Sequence, residues 1–114
     1  MPVDAKERLI LALDCDSLAK ATAFVEEVDG VVSFFKVGME LQLAEGMSPV
    51  EFLKSKGKKV FLDLKYFDVP ATVERAVRRA ASLGVNFLTI HGNGRNVEAA
   101  VRGRGDGKIG RAHV

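Results

Sequence analysis

Asp63 and Lys65 stand two residues apart in the segment Phe61-Leu62-Asp63-Leu64-Lys65-Tyr66-Phe67-Asp68-Val69-Pro70. Alternate side chains of an extended strand share a face, so this spacing aims a carboxylate and an ammonium the same way. Leu62 and Leu64 take the opposite face. Asp68 follows in the next loop, and Lys36, near the end of an earlier apolar run, can complete an alternating Lys-Asp-Lys-Asp array. Opposite charges at close range keep one another ionised where desolvation would neutralise either alone. Such an array presents fixed positive and negative potential to a substrate without a metal. The competing interpretation is a structural network of buried ion pairs.

The elements that position these groups are legible as short apolar runs alternating with helical patterns. Leu9 to Leu13 reads as a strand buried on both faces, closed by Asp14. Ser17 reads as the N-cap of a helix to about Val28, with Leu18, Ala21, Phe24, Val25 and Val28 inward. Val31 to Val37 is a second strand, and Met39 to Ala44 a helical turn. Ser48-Pro49 with Glu51 predicts a capping box that opens a helix to about Ser55. Lys59 to Leu64 is the third strand, and Pro70 to Leu83 a helix with Val73, Ala76, Val77 and Ala80 inward. Val85 to Ile90 is the fourth strand, and Asn96 caps a last short helix, Val97 to Arg102.

This β-α-β order predicts parallel strands with right-handed crossovers, found in the doubly wound sheet and the (β/α)8 barrel. A repeat of roughly 25 to 27 residues per unit, taken eight times, gives a barrel of ordinary size. The expected fold is therefore α/β, the first four β/α units of a (β/α)8 TIM barrel. Asp14, Lys36, Asp63, Lys65 and His91 all fall at the C-terminal ends of the four strands, the rim where parallel α/β folds build active sites. Thr72, in the first turn after Pro70, is a surface position or a site residue. His91 and His113 lack metal-ligand spacing with each other, and Gly92-Asn93-Gly94 lacks the full glycine-rich spacing of a nucleotide-binding motif.

Composition narrows the partners. The 114 residues carry a net charge of +2, too small to argue for nucleic acid or a membrane surface. Hydrophobic residues at 47% and charged residues at 28% fit a globular protein. Met1 to Arg8 is polar and charged, unlike a secretory signal, and no apolar run approaches the roughly 20 residues that span a bilayer. The single cysteine, Cys15, excludes an internal disulfide and fits a reducing, cytoplasmic location.

The runs L-A-L-D, F-K-V-G, F-L-D-L-K-Y-F-D-V-P-A-T and T-I-H-G, from about Leu9 to about Ala100, resemble the orotidine 5′-phosphate decarboxylase family. A wider suprafamily of sugar-phosphate decarboxylases and synthases shares D-x-K-x-x-D, but Lys36 and the P-x-T continuation at Thr72 favour the orotidylate branch. The resemblance implies a carboxy-lyase that converts orotidine 5′-phosphate to UMP and CO2 in pyrimidine biosynthesis, with no cofactor and no metal. It implies Lys65 as proton donor to C6 of the pyrimidine and Asp63 facing the substrate carboxylate. Lys36 and Asp68 would hold the charged array, and Asp14 and Lys36 would bind the ribose hydroxyls. Asp68 and Thr72 would reach the neighbouring subunit's site in a homodimer. A sugar-phosphate enzyme of the same suprafamily and a non-catalytic, self-associating half barrel are the alternatives.

Residues 1–101 are expected to form the N-terminal half of the barrel domain, and residues 102–114, which have no apolar period, an irregular tail of the kind a truncation artefact leaves. The family's phosphate-gripping loop and pyrimidine-reading residues belong to the second half of its barrel. The 114-residue chain alone is therefore expected to be poorly stable, with bare edges at its first and fourth strands, and inactive.

Overall fold

The computed structural model describes residues 7–66, 68–105 and 110–113. Phe67 of the central motif, the first six residues of the polar N-terminus, and residues 106–109 and 114 of the expected tail lie outside that description. The elements are β1 (Leu11–Ala12), α1 (Leu18–Glu27), β2 (Phe34–Gly38), α2 (Met39–Glu45), α3 (Ser48–Ser55), β3 (Lys59–Tyr66), α4 (Pro70–Ser82), β4 (Phe87–Ile90), α5 (Gly94–Arg104) and β5 (Gly110–His113). They form two units, Met1–Phe61 and Leu62–Val114, with the division falling within β3.

In the first unit β1 pairs in parallel with β2, placing Ala12 beside Lys36, and the Lys59 amide at the start of β3 donates to the Ser33 carbonyl (2.9 and 2.8 Å for Leu13 N–H to Lys36 C=O and Lys59 N–H to Ser33 C=O). The core is built from Phe34, Phe35, Val37, Leu41, Val50, Leu53 and Val60, all buried. Phe35 is completely buried, so Phe35→Ala is expected to cost about 3–5 kcal/mol, through lost transfer energy and the cavity left behind. A lowered urea midpoint with an unchanged slope would register it.

Helix α1 begins as its sequence dictates. Ser17 has an extended backbone and its hydroxyl accepts the Lys20 amide at 3.2 Å, the geometry of an N-cap. A second free amide of that first turn, on Leu18, donates to Glu45 Oε2 at 2.6 Å, which ties the end of α2 to the start of α1. Three local expectations are corrected. Ser48 is already helical, α3 has Met47 as its N-cap with no side-chain cap bond, and the expected capping box does not form. Phe24 is 49% exposed, since Ala21 and Val25 alone occupy the buried stripe of α1. The run from Leu9 is not a strand buried on both faces. Only Leu11–Ala12 pairs, and Leu9 is 63% exposed, because β1 has a neighbouring strand on one side only among the described residues.

In the second unit β4 pairs in parallel with β5, Leu88 beside Arg111 and Ile90 beside His113. The C-terminal stretch expected as an irregular tail thus contains the end of α5 and a further strand, and β4 is not a bare edge. Helix α4 buries Val73, Val77 and Ala80 and holds Arg75, Arg78 and Arg79 outward, as the 3.6-residue period predicts. It packs on α5 at Gly103, where an added Cβ would lie 2.3 Å from the Glu74 carbonyl oxygen. The expected cap also shifts. Asn93, not Asn96, is the N-cap of α5, its Oδ1 accepting the Asn96 amide at 2.9 Å.

Glu74 joins the two helices through charge. Its carboxylate accepts from Arg102 Nε and Arg78 Nη2, each at 2.8 Å. These bonds, Arg102's first, hold the Glu74 carboxyl below its ordinary value of 4.5 against an opposing push from burial. A depressed folded value contributes stability above the unfolded value, and that contribution is lost as pH falls through the folded one. The second unit is therefore expected to weaken as pH drops below about 4.5. In Glu74→Gln that part of the acid sensitivity should disappear, seen as a smaller change in urea midpoint between neutral and acidic buffer.

Candidate active site

The rim of the second unit is built by three side chains from β3 and β4. Asp63 is largely buried, its side chain 12% exposed, whereas the Lys65 side chain is 51% exposed. Lys65 Nζ donates to Asp63 Oδ1 at 3.1 Å, so the carboxylate and ammonium that strand spacing placed on one face do meet. The third member is Thr89 of β4, itself buried. Its hydroxyl accepts the Lys65 backbone amide at 2.9 Å and donates to Asp63 Oδ1 at 2.9 Å.

The backbone at Lys65 departs from the extended form. Its φ of 51° lies in the left-handed region, and it is the one non-glycine residue with positive φ among those described. That region costs a residue with a Cβ on the order of 1–3 kcal/mol and persists where surrounding bonds over-determine it, commonly at functional sites. The Thr89 hydroxyl supplies one such bond, to the amide of the strained residue itself. Simple alternation along β3 therefore foretells the Asp63–Lys65 contact without foretelling how the lysine is held.

Asp68 is exposed, and its Oδ1 accepts the Val69 amide at 2.7 Å, one residue before Pro70 opens α4. Thr72 sits half-buried in the first turn of α4, where its hydroxyl accepts from Arg75 Nη2 at 3.3 Å. In the first unit Asp14 lies two residues beyond β1 and Lys36 is the middle residue of the adjacent parallel strand β2, the two segments tied through the bond from Leu13 N–H to the Lys36 carbonyl. Asp14 is exposed and Lys36 half-buried. Of the expected residues, Asp63 and Lys65 are thus joined by a side-chain bond in the second unit, while Asp14 and Lys36 belong to neighbouring strand segments of the first. Among the described residues no group of three or more His, Cys, Asp or Glu is placed to hold a metal ion.

Thr89 had no assigned role in the sequence, although a signal was present. It is a hydroxyl inside the otherwise apolar run Phe87-Leu88-Thr89-Ile90, three of whose four residues are buried. A buried polar side chain must find partners, and its likeliest partners in a strand are on the strand beside it. His91, by contrast, is exposed at the rim, with its carbonyl accepting the Asn93 amide at 3.1 Å.

Parallel strands alternating with helices define a barrel-type α/β domain built of successive β/α units. The sequence model of the orotidine 5′-phosphate decarboxylase / HUMPS family matches residues 7–109, and the chain belongs to that family. It is 48% identical over 105 residues to the orotidine 5′-phosphate decarboxylase of Methylococcus capsulatus, covering 91% of this chain and 43% of that protein. The corresponding protein of Rhodopseudomonas palustris is 44% identical over 108 residues, covering 95% of this chain and 46% of the relative. The crystal structure of orotidine 5′-phosphate decarboxylase from Lactobacillus acidophilus superposes with a TM-score of 0.82 at 31% identity, over 92% of this chain and 51% of that one. An uncharacterized conserved protein of Geobacillus kaustophilus follows at a TM-score of 0.77 and 43% identity, over 82% of this chain and 45% of that one. The chain spans about half the length of the relatives it matches and has the fold of the corresponding half of a (β/α)8 barrel.

Proposed function

We propose that this chain supplies the decarboxylating half of an orotidine 5′-phosphate decarboxylase, which converts orotidine 5′-phosphate to UMP and CO2. The observation that carries the reading is the Lys65–Asp63 pair, 3.1 Å apart at the C-terminal end of β3, within the stretch that matches the family. In the reaction the bond from C6 to the carboxylate carbon breaks and its electron pair stays on C6. A proton from the Lys65 ammonium then closes the C6–H bond, and the lysine recovers its proton from solvent. An ammonium held beside C6 stabilises charge that develops only as CO2 departs, which is the kind of interaction that raises kcat. Asp63, next to the leaving carboxylate, disfavours the bound substrate relative to the transition state and anchors the Lys65 ammonium through its Oδ1.

Lys36 and Asp68 extend the charged array, and Asp14 and Lys36 bind the ribose hydroxyls. The complete protein acts as a cytoplasmic homodimer in which Asp68 and Thr72 of one subunit reach the other's substrate. Support for these roles is the family motif that carries the residues and their position within β2 or just beyond β1 and β3. No helix among the described residues is long and apolar enough to cross a membrane.

The test is to fuse the chain, cut after residue 109, to the remaining half of the Methylococcus capsulatus relative, and to follow loss of orotidylate absorbance. Turnover in the fusion, with the 114-residue chain alone inactive, is the expected result. A folded fusion that ignores orotidylate but acts on a keto-sugar phosphate with magnesium would overturn it in favour of the sugar-phosphate branch.

A further inference from the structure

We infer that Thr89 is a positioning residue for the lysine-centred chemistry proposed above, holding both the backbone of Lys65 and the carboxylate of Asp63. The inference rests on that reading for its catalytic consequence and on geometry alone for the coupling. One hydroxyl serves the two residues at once, accepting from the Lys65 amide and donating to Asp63 Oδ1, each at 2.9 Å. An ionised carboxylate can only accept, and an amide can only donate, so the polarity of the Thr89 hydroxyl is fixed in one sense. Asp63 Oδ1 also accepts from Lys65 Nζ at 3.1 Å, which closes a ring from the lysine backbone through Thr89 and Asp63 back to the lysine's own ammonium.

The ring explains why an exposed lysine in a left-handed backbone conformation has a defined direction. Lys65 has φ of 51° and a side chain 51% exposed, so packing contributes little to its orientation. Thr89 is 5% exposed and is one of two buried polar residues among those described, the other being Asn96. Its hydroxyl therefore binds from a fixed platform, β4, to the two groups that must be fixed on β3. A threonine is also β-branched, with few rotamers, and so holds the hydroxyl in one direction better than an unbranched side chain would.

The experiment compares Thr89→Val, which keeps the shape and removes the hydroxyl, with Thr89→Ser, which keeps the hydroxyl. On the 114-residue chain, amide hydrogen exchange at Lys65 is the first readout. Thr89→Val should speed exchange at Lys65 by at least about tenfold relative to the neighbouring core amides of β4, and Thr89→Ser should restore protection, as expected when a local bond and not the whole fold is lost. In the fusion described above, Thr89→Val should lower kcat by roughly 100-fold with KM changed less than about threefold, and Thr89→Ser should recover most of it. Equal exchange at Lys65 in Thr89→Val and the parent would overturn the inference. So would equal losses in the valine and serine variants, which mark a steric role. If the unsubstituted fusion does not turn over orotidylate, the decarboxylase reading falls, and the exchange rates still decide whether Thr89 holds Lys65.

Discussion

Lys65→Ala is expected to lower kcat for orotidylate by roughly 10⁴-fold or more in the completed barrel, with little change in KM. Two effects vanish with one side chain. A positioned proton donor contributes on the order of 10²–10⁴, and a preorganised cation facing developing charge about 10²–10³, though the two are not additive. Both operate on charge that grows only in the transition state, so the loss should fall on kcat. Lys65→Arg should fail nearly as badly. A guanidinium is effectively never deprotonated, so it cannot hand over a proton, and its flat fork does not reproduce the compact ammonium that bonds Asp63 Oδ1. Initial rates from orotidylate absorbance, across a range of substrate concentrations, separate kcat from KM. An arginine variant within tenfold of the parent would remove proton donation from Lys65's role.

The second large effect is structural. Helix propensity alone says that Gly103→Ala, inside α5, should stabilise the chain by about 1 kcal/mol. The packing says otherwise. The added Cβ would lie 2.3 Å from the Glu74 carbonyl oxygen and 3.0 Å from Val77 Cβ. The closer atom is backbone in the middle of α4, so relief requires moving one helix against the other rather than rotating a side chain. Overpacking of this kind costs typically 1–3 kcal/mol, occasionally more, and a backbone obstacle belongs at the upper end. The net expectation is a loss of about 2 kcal/mol or more, larger still for Gly103→Val. Gly94→Ala is the control. A Cβ there meets nothing within 4 Å, and its stability should change by less than about 0.5 kcal/mol. Urea unfolding of the three chains decides it, and a stabilised Gly103→Ala would show that the α4–α5 contact gives way easily.

Much of this was readable in the residues. The runs expected as strands over Val31 to Val37 and Lys59 to Leu64 became β2 and β3, with β2 starting three residues later at Phe34, and the amphipathic period of α4 placed Val73, Val77 and Ala80 on its buried face. Ser17 announced α1 because an N-cap is a local device, satisfied by an amide three residues on. Elements that depend on distant partners were harder. β5 lies in a glycine- and arginine-rich stretch whose apolar content is too low to mark a strand, and its existence shows only in the pairing with β4. Leu9 is apolar yet exposed, because burial depends on what lies beside a strand and not on its own composition. At the candidate site the chemical types at Asp63 and Lys65 were visible from their spacing, but a left-handed φ at a lysine has no sequence signature of the kind glycine provides. The threonine that secures it is separated from Lys65 by 24 positions.

That separation has a temporal consequence. A chain leaving the ribosome presents Lys65 well before Thr89, and neither the helix α4 nor β3 can hold the lysine's amide in its final bond by itself. The loop between the two must close first, and closure is opposed by chain entropy until β4 docks. Until that docking, Lys65 lacks the Thr89 bond that helps hold its left-handed form. A chain in which β4 has not docked therefore carries the Asp63–Lys65 motif without the arrangement that Thr89 fixes.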